Sequence, residues 1–249
     1  MTAIRATSLT RTFGDLRALD ELTFAVESGE VYGLLGPNGS GKTTTINVLT
    51  GVLAPDGGNA EVLGIDPTAD PVGVRDAIGV LPEKEAPPSF LTPREYFGFV
   101  GDVRGMTPEA VADRVEDWAD RLDLVEKLDT LCTDLSRGQQ QKVMLTQAFI
   151  HDPELVFIDE PLANLDPLVQ DAVLSFVEDY HAEGGTVLLS THHLEVAERL
   201  CTRVGIVHAG RLIEEFDADS DVSLRTAFRE AVEARDGPAD PEPVATTEP

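Results

Sequence analysis

The sequence predicts an α/β fold: a core of buried parallel strands, an antiparallel β piece near the start, and an all-helical insert in the middle. Three observations carry this. Short apolar runs without alternation stand at residues 31–35, 155–158 and 186–190, as strands covered on both faces do. Residues 2–10 and 22–26 alternate like two strands of an antiparallel pair. Between residues 88 and 150 the apolar spacing is helical.

The first core strand runs into Gly36-Pro37-Asn38-Gly39-Ser40-Gly41-Lys42-Thr43-Thr44 and then into a helix-compatible segment, residues 45–49. Strand, glycine-rich turn and helix are the context of a phosphate-binding loop. The glycines let successive backbone N–H groups point at one anion. The helix start adds unpaired N–H groups and a positive dipole end. Lys42 supplies a point charge for β/γ-phosphates, and the Thr43 hydroxyl is placed to ligate Mg²⁺.

The remaining elements follow in order. Phe13-Gly14-Asp15 and Ser28-Gly29-Glu30 mark turns. Asp56-Gly57-Gly58-Asn59 is a strong turn signal, with a short strand expected at 60–64. A short helix is expected at 72–77 and a buried strand at 78–81. The proline-bearing stretch 82–93 reads as a loop. Pro108 behind Thr107 opens a helix, in which Val111, Val115, Trp118, Ala119 and Leu122 share one face; Trp118 reads as core, not as a stacking platform. Helices are expected at 167–181 and 193–200. A closing hairpin is expected at 204–207 and 211–213, with Ala209-Gly210 near its turn. A further helix is expected at 222–232. Residues 236–249, with four Pro and four acids, read as disordered.

Asp159 and Glu160 stand at the C-terminal end of a core strand, where ligands lie in an open α/β sheet. A carboxylate there can hold the Mg²⁺ shared with Thr43 and the nucleotide, and the next one can polarise water. Hydrolysis also needs charge stabilisation at the γ-phosphate, for which His192, just past another core strand, is the candidate. In Leu135-Ser136-Arg137-Gly138-Gln139, Ser136 can cap a helix, and the hydroxyl and N–H groups at that helix end form an anion site.

Composition bounds the rest. Asp and Glu number 45 against 19 Lys and Arg, a net charge of −26, and only four of the basic residues are Lys. Such a surface repels nucleic acid. The acids are spread along the chain, as in proteins adapted to high internal salt. The sequence holds no run of 18 or more apolar residues, so no segment is expected to span a membrane alone, and the first residues lack the apolar stretch of a signal peptide. Cys132 and Cys201 lack metal-ligand spacing and read as unpaired thiols in a reducing cytoplasm.

Taken together and in order, residues 36–44, 135–139, 155–160, Asn164-Leu165-Asp166 and Ser190-Thr191-His192 resemble the ATP-binding subunit of an ABC transporter, over about residues 2–215. The resemblance implies a P-loop NTPase fold: a RecA-like α/β core, an antiparallel β subdomain and an inserted α-helical subdomain. It implies an ATP-binding domain over 1–215, with the helical subdomain at about 88–150, and an acidic C-terminal extension over 216–249. It makes Gly36, Pro37, Asn38, Gly39, Ser40, Gly41, Lys42, Thr43 and Thr44 the nucleotide loop and Asp159 the Mg²⁺ ligand. It makes Glu160 the general base, His192 the switch histidine and Asp166 the D-loop aspartate. Ser136, Gly138 and Gln139 would touch the γ-phosphate held by the opposite subunit. Phe13 falls where an aromatic ring stacks on adenine, against a competing reading as a plain turn hydrophobe.

Two residues depart from the family pattern. Arg137 replaces the usual signature Gly, and Glu83 stands where a Gln usually touches Mg²⁺ and water. Glutamate only accepts hydrogen bonds when ionised, though it can still contact metal. Both departures resemble subfamilies whose partners are ABC-2 exporters. The implied protein is a cytoplasmic ATPase, peripheral on the inner face of the cell membrane. It uses ATP and Mg²⁺, pairs with a second ATP-binding subunit as a homodimer or with a relative, and drives export through an integral membrane permease subunit. The rivals are a soluble ABC ATPase acting on ribosomes or DNA, and an ATP-cycling regulatory module that moves nothing.

The dispersed acidic charge yields a test. Unfolding free energy from urea titration is expected to rise as KCl goes from low to molar concentration; a fall would overturn the salt-adaptation reading.

Overall fold

The computed structural model describes residues 1–84, 86–161, 167–218 and 223–236; of Leu168 and residues 232–236 only the backbone is described. Strands β1 (Thr2–Phe13) and β2 (Leu16–Glu27) form an antiparallel pair, to which β4 (Gly57–Val62) adds on the other side of β1. Phe13 pairs directly with Leu16, so it ends β1 and the turn is only Gly14-Asp15. Both strands are longer than their alternation suggested, because register irregularities interrupt the period of two.

The expected turn at 56–59 is corrected: β4 begins at Gly57, which pairs with Thr10, while Asn59 pairs with Thr7. The register shifts between those pairs, and a Cβ on Gly58 would lie 2.3 Å from the Ser8 carbonyl oxygen. The glycines there allow two backbones to meet at a bulge, not a chain reversal. The reversal comes at Leu63-Gly64, where φ is 50° and 80°.

The main sheet has the order β5-β6-β7-β3-β8-β9. Strands β3 (Val31–Leu35), β5 (Ile78–Leu81), β6 (Leu155–Asp159), β7 (Thr186–Thr191) and β8 (Arg203–His208) are parallel, and β9 (Arg211–Asp217) runs antiparallel to β8. Every residue of β3, β6 and β7 is buried, which is why their apolar runs do not alternate. Leu35 pairs with Thr191 and Asp159 with Ser190, so the carboxyl ends of β3, β6 and β7 lie at one level. The β8–β9 turn, Ala209-Gly210, has φ of 47° and 76°, the left-handed pair a two-residue hairpin requires.

Helix α1 (Lys42–Leu49) follows β3, and α2 (Pro71–Ala77) precedes β5. Helices α3 (Pro93–Val103), α4 (Pro108–Arg121) and α5 (Arg137–Phe149) lie between β5 and β6. The loop after β5 ends at Thr92, not Pro93: Thr92 caps α3 with Glu95 in a reciprocal capping box, and Pro93 takes the first turn, where its missing N–H costs nothing. Thr107 likewise caps α4 through the Ala110 amide. Val111, Val115, Ala119 and Leu122 are buried, and Trp118 packs 4.6 Å from the Phe176 ring centroid. Helices α6 (Pro167–Ala182) and α7 (Leu194–Leu200) flank β7 in sequence, and α8 (Leu224–Asp236) follows β9. Asp236 thus ends a helix; residues 237–249, expected to be disordered, and Val222, the expected start of α8, lie outside the described residues.

Two clusters of buried side chains share the sheet. One joins Leu35, Ile158 and Leu189 to helices α3–α7; the other joins Leu34, Phe157 and Leu188 to α1 and the antiparallel sheet. Phe157 is fully buried in the second. Phe157→Ala is expected to cost about 3–5 kcal/mol in chemical denaturation, as a cavity the sheet cannot close; a loss under about 1 kcal/mol would overturn this.

Candidate functional site

The loop after β3 is shaped by contacts behind it. The Gly36 amide donates to the Thr191 carbonyl at 3.3 Å, continuing the β3–β7 ladder. A Cβ on Gly36 would lie 2.2 Å from the Val207 carbonyl oxygen, and one on Gly41 2.5 Å from that of Ala18. Gly39 and Gly41 have φ of 80° and 110°. Gly41 caps α1, its carbonyl accepting from the Thr45 amide at 2.8 Å and the Thr45 hydroxyl at 2.9 Å. The Gly210 amide donates to the Ser40 carbonyl at 2.8 Å, bracing the loop on the β8–β9 turn. Ser40 Oγ is buried without a hydrogen bond among the described residues.

Lys42 is buried. Its Nζ donates to the carbonyls of Gly36 at 2.8 Å and Pro37 at 3.2 Å, and lies 3.4 Å from Glu160 Oε1. The ammonium is thereby held along the loop, facing the end of β6.

Asp159 and Glu160 are consecutive and both buried, yet they face different groups. Asp159 accepts a short hydrogen bond from Ser190 Oγ on β7. Burial holds its carboxyl above the usual range, against the pull of the Ser190 and Thr43 hydroxyls; Glu160 and Glu83 push the same way as burial. Glu160 has φ of 48°, a left-handed conformation unusual for a residue with a Cβ, and its amide donates to the Ser190 carbonyl at 3.0 Å. Its Oε1 lies 2.9 Å from His192 Nδ1, so an ionised Glu160 selects the imidazole form with the proton on Nδ1.

These groups surround a cleft of about 740 Å³, lined by Asn38, Gly39, Ser40, Gly41, Lys42, Thr43, Thr44, Glu83, Glu160 and His192, with Phe13 and Leu16 among its walls. Phe13 is half exposed, and the Arg11 guanidinium sits 5.0 Å from its ring centroid. Gly36 and Pro37 do not line the cleft; they offer carbonyls to Lys42 from behind. Asp159 lines an adjoining groove of about 550 Å³ together with Thr43 and Glu83, which border both spaces. Thr43, Asp159 and Glu83 offer oxygen atoms only, the donor chemistry Mg²⁺ takes. Buried Lys42 and the left-handed glycine loop at a helix start suit a polyphosphate.

Ser136, Gly138 and Gln139 are elsewhere. Ser136 caps α5 through the Gln139 amide at 3.2 Å, and Gln139 Oε1 accepts from the Ser136 amide at 2.9 Å. None of the three lines this chain's cleft. Asp166 lies outside the described residues. Sequence reasoning missed Leu16, Ala18, Lys84 and His193 in the cleft wall. The signal for Leu16 was its place opposite Phe13 across a two-residue turn; for His193 it was the doubled histidine after β7.

A parallel sheet with a glycine loop at one strand end and acid and histidine at two others defines a P-loop nucleotide-binding protein. The ABC transporter family model matches residues 19–163, and the chain belongs to that family as an ATP-binding subunit. An uncharacterized ABC transporter ATP-binding protein of Methanocaldococcus jannaschii is 35% identical over 227 residues, 91% of this chain and 82% of that protein. The Nod factor export ATP-binding protein I of Sinorhizobium fredii is 36% identical over 213 residues, 86% of this chain and 62% of that protein. A solved ATP-binding subunit of an ABC transporter superposes with a TM-score of 0.86 at 30% identity, covering 92% of this chain and 99% of its own.

The loop contacts separate two glycines. Gly36→Ala drives a Cβ into the backbone of Val207 and is expected to weaken binding of a fluorescent ATP analogue at least about tenfold, since a displaced anion cradle loses several N–H contacts at once. Gly39→Ala meets open space and only the left-handed strain, about 1–2 kcal/mol of stability. Equal affinities in the two variants would contradict this assignment.

Proposed function

We propose that this chain is the ATP-hydrolysing subunit of an exporter. It sits on the inner face of a cell membrane against a separate membrane-spanning subunit and pairs head to tail with a second copy of itself or a relative. The observation that supports this best is the meeting of Lys42, Glu160 and His192 at one end of the sheet, each within 3.4 Å of another. The export direction rests on the similarity to a Nod factor export protein and on Arg137 and Glu83.

In this reading the loop amides and Lys42 bind the β- and γ-phosphates, and Phe13 stacks on the adenine. Thr43, Asp159 and Glu83 would hold Mg²⁺, which offsets phosphate charge when bound. Glu160 accepts a proton from the attacking water, whose oxygen bonds to the γ-phosphorus as the bond to the ADP oxygen breaks. His192 holds the Glu160 carboxylate through its Nδ1–H beforehand and turns that N–H to the γ-phosphate as charge develops there. Ser136, Gly138 and Gln139, outside their own chain's cleft, contact the γ-phosphate bound by the opposite subunit. ATP then touches both subunits only when they close, so it favours closure by differential affinity. The helical subdomain and the loop after β5 carry that motion to the membrane partner.

Tagged Glu160→Gln is the test. It is expected to bind ATP and dimerise while hydrolysing at least about 100-fold more slowly. With MgATP in high salt it should recover a multi-span protein from detergent-solubilised membranes. Brisk turnover would refute the base. Recovery of only a soluble dimer, or of ribosomes, would overturn the transport role.

A further inference from the structure

One side chain in the cleft wall has no part in that scheme. His193 stands at the N-cap of α7, where its side chain makes no capping hydrogen bond, and its ring lies 4.0 Å from that of His192, centroid to centroid. Its backbone is fixed by an amide hydrogen bond to Thr191 Oγ1 at 3.0 Å. Glu160, His192 and His193 each offer one ligand atom, and those atoms lie within 4.8 Å of one another; among the described residues they are the one such group of three.

We propose that Glu160, His192 and His193 form a binding site for Zn²⁺ or a similar imidazole-seeking divalent ion, and that its occupancy switches hydrolysis off. Two imidazoles and one carboxylate with an open fourth position are a zinc donor set. They differ in kind from the all-oxygen group of Thr43, Asp159 and Glu83, so the two sites select different ions. Glu160 Oε1 and His192 Nδ1 are already 2.9 Å apart. Tetrahedral bonds of about 2.0–2.1 Å place ligand atoms roughly 3.3 Å apart, so the Glu160–His192 pair already stands near that spacing, and the set of three, within 4.8 Å, draws together on binding. The cleft, at about 740 Å³, leaves room for water on the open side.

The main opposing charge is Lys42, whose Nζ lies 3.4 Å from Glu160 Oε1. It retains the Gly36 and Pro37 carbonyls when the carboxylate turns to the ion. A chain of net charge −26 also draws divalent cations toward its surface, most strongly at low salt. A ligated Glu160 cannot take a proton from water, and a ligated His192 nitrogen cannot serve the phosphate. The phosphate loop is untouched by either loss. The inhibitory half of the inference rests on the roles proposed above for Glu160 and His192; the binding half does not.

The test uses the full chain without nucleotide, in high KCl and excess Mg²⁺ so that surface carboxylates are masked. Co²⁺ is expected to give visible absorption bands of a nitrogen-and-oxygen site of low coordination number, and Zn²⁺ should abolish them by displacement. His193→Ala and His193→Gln should each weaken Zn²⁺ binding by about tenfold or more, at unchanged thermal midpoint. Equal Zn²⁺ affinity in the wild type and both variants, or no binding beyond Mg²⁺ competition, overturns the site. In a second arm Zn²⁺ is added to a MgATP hydrolysis assay, and each variant is scaled to its own metal-free rate. Inhibition relieved in the His193 variants supports the switch. A bound ion that leaves turnover unchanged overturns the inhibitory half, and a chain with no turnover at all counts against the ATPase reading while the Co²⁺ result stands.

Discussion

The structure depends on the parallel register of β3, β6 and β7. Pairing Leu35 with Thr191 and Asp159 with Ser190 sets three strand ends at one level, although the residues they deliver come from positions far apart in the chain. The register is held because all three strands are buried on both faces, so a slip of one residue would turn the packed side chains to the opposite faces. Glu160 then leaves the strand with a left-handed turn, which keeps both consecutive carboxylates at the strand end, one lining the cleft and the other the groove that adjoins it. Two adjacent acids in an ordinary strand would point to opposite faces of the sheet and could not border one site.

The antiparallel sheet and the closing hairpin complete that site from behind. Backbone from Ala18, Val207 and Gly210 presses on the phosphate loop so closely that Gly36 and Gly41 have no room for a Cβ. The two sheets are tied at Arg203, which donates to the Ala25 carbonyl and to Glu30 and lies over the Tyr32 ring; Tyr32 in turn donates to Glu215 at 2.7 Å. Phe13 stands at the end of β1 because the chain reverses in two residues there. The wall of the cleft is therefore a consequence of strand length, not of a separate binding loop.

Most of this was legible in the residues, and the exceptions have physical causes. The core strands were readable since burial on both faces removes alternation, and the P-loop, Asp159-Glu160 and His192 were readable since each follows such a run. Gly57-Gly58 misled because glycine serves bulges as well as turns, and only the partner strand decides which. Pro93 read as loop because proline suits both a loop and a helix first turn; the Thr92–Glu95 capping box distinguishes the two. Leu16 and His193 were missed as cleft residues because nothing in their types says which face they take; only their places, across the turn from Phe13 and beside His192, pointed to the cleft. The oxygens of Thr43, Asp159 and Glu83, proposed above as Mg²⁺ ligands, could be nominated from motif positions, but their meeting along one groove is a property of the fold.

Net charge and local charge pull apart in this chain. A surface at −26 opposes the approach of an anionic nucleotide over long distances when salt is low. At molar salt the screening length falls to about 3 Å, so only groups in contact with the phosphates count. In the function proposed above those groups are the buried ammonium of Lys42, the loop amides and the start of α1, held in place by backbone contacts that salt does not weaken. High salt thus removes the repulsion without removing the site, because the attraction is geometric and short in range. Low salt would do the reverse, strengthening both the repulsion among 45 acids and the pull on divalent cations. The loop owes its shape to the packing of Gly36 and Gly41 against neighbouring backbone, and on the proposed function this is what lets an anion-binding site persist in so acidic a protein.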